Sequence, residues 1–94
     1  RGLHTHRRAL QAGDRMHGTS IHFVTEELDG GPVVLQARLP VLPGDDAESL
    51  ARRVQAREHE VYPRVVRWVA EGRLQWRAGG PWLYDRPLRR PVVV

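Results

Sequence analysis

The sequence contains no cysteine, which excludes disulfides, thiol catalysis and cysteine-ligated zinc. It also contains no lysine, so all of its fifteen basic residues are arginines, set against eleven acidic residues for a formal charge of +4. The arginines are spread along the chain with acidic residues among them, so their charge is weak evidence for an anionic partner. No apolar stretch approaches the roughly 20 residues that span a bilayer, so no membrane segment is expected. The absence of cysteine favours a reducing, cytoplasmic setting.

The composition is that of an ordinary globular protein, and a length of 94 residues allows one small domain. A chain this short leaves much of its surface uncovered, which makes a partner surface plausible. Because the sequence opens with Arg1 rather than Met, we interpret it as part of a longer chain. Residues 1–85 are expected to form the folded portion, and the Pro- and Arg-rich residues 86–94 a flexible tail.

The first half of the chain predicts a short helix followed by a β-hairpin. Good helix formers occupy Leu3–Ala12, and Gly13-Asp14 supplies a helix stop. Thr19–Glu26 predicts a strand covered on both faces, with Ile21 and Phe23 on one face and His22 and Val24 on the other. A second strand, Val33–Val41, follows after the sharp turn Leu28-Asp29-Gly30-Gly31-Pro32, and the short connection favours antiparallel pairing.

The second half predicts one long helix and a terminal hairpin, which makes the fold class α/β. Asp45 and Asp46 stand ahead of Glu48 in a capping arrangement that starts the helix near Ala47. Pro63 is expected to kink this helix, which runs up to Gly72. The apolar positions at helical spacing predict one buried stripe: Leu50, Val54, Val61, Tyr62, Val65, Val66 and Val69. The hairpin pairs Leu74–Trp76 with Trp82–Tyr84 through Gly79-Gly80-Pro81, with Trp76 and Trp82 facing each other across the turn.

An acidic residue, Glu58, interrupts the apolar stripe of the long helix. A buried carboxylate is costly unless it is paired or hydrogen-bonded, so the position indicates a partner or a ligand with donors. Gln55 lies one turn earlier on the same face, and the two groups together could hold the hydroxyls of a sugar. The alternative is a salt bridge between Glu58 and one of the arginines.

The glycine-rich turn presents a second carboxylate, Asp29, at a loop tip where functional residues often lie. His22 on the preceding strand could hold it by a hydrogen bond, as in proton-transfer sites. The alternative is that Asp29 makes an Asx-turn.

Two other kinds of site receive little support from the pattern. His4 and His6 are two residues apart on a predicted helix and do not share a face, so no metal site is expected. Trp68, Trp76 and Trp82 with scattered arginines could form a stacking platform of a nucleic-acid-binding module, although core packing is the more usual fate of such rings.

Four segments together resemble the phosphoribosylglycinamide formyltransferase family, the folate-dependent enzymes of purine biosynthesis. They are Gly2–His6, His17–Pro32, Val54–Pro63 and Gly72–Leu74. The resemblance implies transfer of a formyl group from 10-formyltetrahydrofolate to the amino group of glycinamide ribonucleotide, with no metal. It assigns Asp29 as the catalytic aspartate and His22 as its support, and it gives Gln55 and Glu58 contacts to the ribonucleotide. The folate pocket is implied to be lined by Thr25, Glu26, Glu27, Leu28 and Asp29.

The chain departs from the family pattern by lacking its Asn-x-His element and its glycine-rich phosphate loop. Both would belong to a nucleotide-binding half preceding Arg1, so the resemblance implies a C-terminal half that is inactive alone. Formyltetrahydrofolate hydrolase and methionyl-tRNA formyltransferase share a Leu-Asp-x-Gly turn. Gly30 and the segment Gln55–Pro63 favour the purine enzyme over both.

Overall fold

The computed structural model describes residues 3–24 and 30–94. Within them the chain forms two helices and six strands, which confirms the α/β class. The strands form two three-stranded sheets, in the orders β1-β2-β6 and β3-β4-β5. The elements are α1 (His4–Gln11), β1 (Met16–His22), β2 (Val33–Pro40), α2 (Ala47–Ala70), β3 (Leu74–Arg77), β4 (Gly80–Leu83), β5 (Arg86–Pro87) and β6 (Val92–Val93).

Helix α1 ends where the sequence predicts, at a glycine in the left-handed region. Gly13 has φ +72°, a conformation that costs glycine nothing. Its N–H donates to the carbonyl of Leu10 at 3.1 Å, and the N–H of Asp14 donates to Ala9 at 3.1 Å. These two hydrogen bonds satisfy carbonyl groups in the last turn of the helix, and the chain then turns back into β1.

Strands β1 and β2 pair antiparallel as predicted, with a register irregularity between Ile21 and His22. β1 begins earlier than expected, at Met16, and ends at His22. The prediction that both faces are covered is wrong: Ile21 is buried, whereas His22 is exposed and Val24 is 70% exposed. The reason is that α2 packs on the side of β1 that carries Thr19 and Ile21, and His6 of α1 contacts His17 on the same side.

Helix α2 starts at a capping box that differs from the predicted one. Asp46 is the N-cap, and its carboxylate accepts from the N–H of Ser49 at 2.8 Å while the Ser49 hydroxyl accepts from the Asp46 N–H at 3.0 Å. Glu48 is not the capping partner, because the side chain that reaches back must stand three residues after the cap.

Pro63 lies inside α2 without dividing it, since the helix is continuous from Ala47 to Ala70. Proline leaves the carbonyl four residues earlier without its helical donor, and that residue, His59, is exposed where water can serve. Neither helix within residues 3–24 and 30–94 is long and apolar enough to cross a bilayer.

The apolar stripe of α2 is narrower than predicted. Leu50, Val54, Val61 and Val65 are buried against the first sheet. Tyr62, Val66 and Val69 are 45%, 64% and 53% exposed, so their prediction as core residues is wrong. Each residue advances about 100° around a helix, which places these three roughly a quarter-turn away from the buried line. Trp68 continues that line instead and packs on the core.

The terminal hairpin forms with a tighter turn than predicted. Its two-residue loop is Ala78-Gly79, both at positive φ (51° and 80°), as a type I′ turn requires. Trp76 is therefore opposite Pro81, and Trp82 is opposite Gln75. The predicted Trp76–Trp82 pair is wrong, because this register sends the two rings to opposite faces of the hairpin.

The predicted flexible tail, residues 86–94, contains β5 and β6. Val92–Val93 pair parallel with Leu35 and Gln36 of β2, and the Arg38 N–H donates to the carbonyl of Val94 at 2.9 Å. The end of the chain is thus joined to the first sheet by backbone hydrogen bonds.

Candidate functional site

Glu58 lies on the sheet-facing side of α2, where its neighbours Val54 and Val61 are 6% and 0% exposed. The Glu58 carboxylate is half-buried, and its Oε2 accepts a hydrogen bond from the Thr19 hydroxyl of β1 at 3.1 Å. None of the ion pairs found among the described residues involves Glu58; the nearby Arg57 pairs with Glu60 instead, at 3.6 Å. The partner of Glu58 is therefore a neutral hydroxyl, and the salt-bridge alternative is not what the structure shows in the part of the chain it describes.

An open pocket of about 480 Å³ lies beside this carboxylate, between α1, β1 and α2. The structure brings Gln55 and Glu58 together on its wall, as their spacing on one helix face predicts. The remaining lining residues come from all three elements: Thr5, His6, Gly18, Thr19, Ala51 and Val54. An amide and a carboxylate side by side offer both donors and acceptors, which is the chemistry that binds sugar hydroxyls.

A histidine pair stands at the edge of this pocket, and sequence reasoning missed it. His6 Nδ1 and His17 Nε2 are 2.9 Å apart, with the rings edge to face at 85° and 5.1 Å between centroids. One ring must donate while the other accepts, so at least one of them is neutral. Burial lowers the pKa of His17, and the neighbouring His6 lowers it further, against an opposing effect of Asp14.

The histidine pair could have been inferred from the helix stop rather than from the His4-x-His6 spacing. Because the chain reverses at Gly13, the start of β1 runs back alongside α1. A residue on the inner side of the helix then meets one at the start of the strand. His6 meets His17 for that reason, while His4 is exposed.

His22, the last residue of β1, forms a hydrogen bond to Gly31, which lies shortly before β2. Its Nδ1 donates to the carbonyl oxygen of Gly31 at 2.7 Å, so this nitrogen carries the proton and Nε2 remains for a second partner. The turn itself uses Gly30 at φ +68°. His22 is not among the residues that line the pocket of Gln55 and Glu58. Asp29 and the predicted folate-pocket residues Thr25, Glu26, Glu27 and Leu28 lie outside the described residues, so contact between His22 and Asp29 stays a prediction.

The tryptophans do not form a shared stacking surface. Trp76 packs on Phe23 with ring centroids 5.2 Å apart, and Trp68 packs on the core. Trp82 lies under the guanidinium of Arg77, 4.4 Å from its ring centroid, and Arg77 is also paired with Asp85 at 3.1 Å. Rings on opposite sides of a hairpin cannot stack successive bases of one strand, so this arrangement does not favour the nucleic-acid alternative.

The formyl transferase family matches residues 1–66 of the chain. The phosphoribosylglycinamide formyltransferase of Escherichia coli K12 is 57% identical over 82 residues, covering 87% of this chain and 39% of that protein. The corresponding protein of Haemophilus influenzae is 50% identical over 87 residues, covering 93% and 41%. The solved phosphoribosylglycinamide formyltransferase of Coxiella burnetii has a TM-score of 0.84 at 46% identity, covering 98% of this chain and 44% of its own.

The chain spans about two fifths of the length of the curated relatives it matches. The matched region includes α1, the β1–β2 hairpin and most of α2, which are the elements that build the pocket. With identities of this size and a fold that superposes over nearly its whole length, the chain belongs to the formyl transferase family.

Proposed function

We propose that this chain supplies the C-terminal half of a phosphoribosylglycinamide formyltransferase, an enzyme that moves a formyl group from 10-formyltetrahydrofolate to glycinamide ribonucleotide in purine biosynthesis. The observation that carries the proposal is the pocket wall formed by Gln55 and Glu58, where a half-buried carboxylate faces open space without an arginine partner among the described residues. Relatives that share this region bear the enzyme's name. A carboxylate held in this way is suited to a ligand with hydroxyl donors.

In this proposal Gln55 and Glu58 contact the ribonucleotide. Glu58 accepts hydrogen bonds from the ligand, because an ionised carboxylate offers only acceptors. Gln55 can donate through its amide nitrogen and accept through its oxygen. The open shape of the pocket allows a sugar to enter between α1 and α2.

The chemical step is assigned to Asp29, supported by His22, and the formyl donor to the segment Thr25–Asp29. The substrate amine attacks the formyl carbon, and the proton that the amine loses must reach the departing folate nitrogen. A poised carboxylate, acting directly or through a water, can transfer that proton. What supports His22 in this role is its hydrogen bond to the carbonyl oxygen of Gly31, which orients the ring and lies two positions after Asp29 in the sequence.

The proposed partner is an N-terminal nucleotide-binding half that supplies the substrate-phosphate loop and the oxyanion-stabilising histidine. The coverage of the relatives, about two fifths of their length, is consistent with this division. The chain alone is then expected to lack formyl transfer activity, and the complete enzyme to work in the cytoplasm.

The decisive experiment compares Asp29→Asn with the unchanged enzyme, each joined to its N-terminal half. We expect turnover to fall by about 10²–10⁴-fold, the usual contribution of a positioned acid-base group, with thermal stability retained. Asp85→Asn is a matched control, since Asp85 is exposed on the terminal hairpin, and it should leave turnover unchanged. Unchanged turnover in Asp29→Asn would remove Asp29 from the reaction.

The same assay separates formyl transfer from hydrolysis of the donor. We expect release of tetrahydrofolate to require glycinamide ribonucleotide. Release at the same rate without the ribonucleotide would instead support the hydrolase alternative.

A further inference from the structure

The carboxylate of Glu58 needs a fixed orientation if it is to select a ligand. Glutamate has three rotatable side-chain bonds, and a free carboxylate at the edge of an open pocket would sample several rotamers. The structure gives the carboxylate one side-chain partner among the described residues, the hydroxyl of Thr19. The two residues come from different elements, β1 and α2, and line the same pocket.

Thr19 is a rigid donor. Its β-branched side chain has few accessible rotamers, and its backbone is paired with Ala37, which is 0% exposed at the centre of the sheet. The hydroxyl therefore reaches Glu58 from a position that the core determines. Serine at the same place would keep the donor but lose the methyl group that restricts its rotation.

We infer that Thr19 is a positioning residue for Glu58 and thereby sets the affinity of the pocket for the ribonucleotide, an inference that rests on the proposed function. By donating to Oε2, the Thr19 hydroxyl takes one of the acceptor positions of the carboxylate and fixes its orientation, and it leaves Oε1 entirely available to accept from the ligand. The carboxylate is thus oriented before the ligand arrives, which lowers the entropy lost on binding. Removal of the hydroxyl should weaken the binding of the ribonucleotide and leave the formyl donor unaffected.

The test uses the complete enzyme with Thr19→Val, which removes the hydroxyl at nearly constant volume, and Thr19→Ser, which keeps it. We expect Thr19→Val to raise both the Kd and the KM for glycinamide ribonucleotide by about tenfold, the usual effect of losing a hydrogen bond to a charged group. The KM for the formyl donor should not change, and Thr19→Ser should restore most of the affinity. Tyr84→Phe removes an exposed hydroxyl on the terminal hairpin and should change neither constant.

A double-mutant cycle shows whether Thr19 acts through Glu58. In a Glu58→Ala background, Thr19→Val should change the Kd by less than about twofold, because the group it positions is absent. An equal loss in both backgrounds, an equal rise in the KM for both substrates, or wild-type affinity in Thr19→Val would each overturn the inference. If Thr19→Val does not fold, Thr19→Ala provides the same comparison.

The unchanged enzyme separates this inference from the function on which it rests. Binding and formyl transfer by the unchanged enzyme, with no effect of the Thr19 variants, would contradict the role of Thr19 alone. Failure of the unchanged enzyme to bind the ribonucleotide would overturn the proposed function and this inference together.

Discussion

Asp45 shows how one carboxylate can secure a loop to a helix. It accepts hydrogen bonds from Arg53 Nη1 at 2.6 Å, from the Leu42 N–H at 2.8 Å and from the Ser49 hydroxyl at 2.7 Å. The Arg53 guanidinium is the largest cause that lowers the pKa of Asp45 to about 2, followed by the Leu42 and Ser49 bonds. The side chain is 6% exposed, so the pair is shielded from solvent on the aspartate side.

This ion pair makes stability depend on pH in a narrow acidic range. A carboxyl whose pKa is depressed in the folded state stabilises the fold above its unfolded pKa, near 3.9, and loses that contribution as pH falls through the folded value. We expect Asp45→Asn to lower the Tm relative to wild type at pH 6, with the difference shrinking between about pH 4 and pH 2. Thermal unfolding across this range measures it; a Tm difference that stays constant down to pH 2 would contradict the prediction. A hydrogen bond from the Ser49 backbone N–H also lowers the pKa of Asp46. Because Asp46 is present in both the wild type and Asp45→Asn, it does not contribute to the difference in Tm between them.

Gly18 marks a close approach of β1 to β2. A Cβ built on Gly18 would overlap the carbonyl oxygen of Ala37, a backbone atom that cannot swing aside. We expect Gly18→Ala to destabilise the protein by about 1–3 kcal/mol, as overpacking of a core does. Gly80→Ala is the matched control, because the space around its Cβ is open, and it should change the free energy of unfolding by less than about 0.5 kcal/mol in a denaturant titration. Similar losses in the two variants would argue against the close approach.

At the scale of elements, α2 is the scaffold of the pocket because it carries Gln55 and Glu58 on adjacent positions of one face. Its spacing predicted that Gln55 and Glu58 lie together on one face, since helical periodicity is a local property. The same periodicity could not tell which apolar residues would be covered. Tyr62, Val66 and Val69 follow helical steps as well as Val61 and Val65 do, but within the described residues only Val61 and Val65 pack into the core cluster with the first sheet.

The start of α2 depends on Ser49 rather than on Glu48. We expect Ser49→Ala to lower stability by about 1 kcal/mol, since it removes the reciprocal half of the capping box and a donor to Asp45. Glu48→Gln should cost less, about 0.5 kcal/mol, because it weakens only the interaction with the helix dipole. Chemical denaturation gives the free energy of unfolding of the two variants. A larger loss in Glu48→Gln than in Ser49→Ala would support Glu48 as the capping partner, as the sequence predicted.

At the scale of the whole molecule, the last residues complete the first sheet. β6 lies beside β2, and Leu88 and Val94 pack against the core cluster of Ile21, Leu35 and Val61. Composition predicted a loose tail because prolines and arginines are typical of unpaired segments. The partner strand lies more than fifty residues earlier in the chain, so no local signal could indicate this pairing.

Deletion of residues 91–94 tests whether the pairing of β6 with β2 stabilises the fold. We expect the truncated protein to lose several degrees of Tm, because β2 loses β6, one of its two hydrogen-bonded neighbours, and the core loses the Val94 contact. Val93→Ser, a change at a position that is 51% exposed, should leave the Tm nearly unchanged and so control for the loss of side-chain hydrophobicity alone. An unaltered Tm after the deletion would mean that the tail contributes nothing to the fold.

Helix limits, the hairpin turn at Gly30 and the acid in the helical stripe could all be read from neighbouring residues, because capping, turn formation and periodicity act over a few positions. The contacts between α1, β1 and α2 beside the pocket could not be predicted from neighbouring residues. His6 meets His17 across 11 positions and Thr19 meets Glu58 across 39. Such pairs form only when the sheet brings distant segments together, since packing selects partners by their position in space.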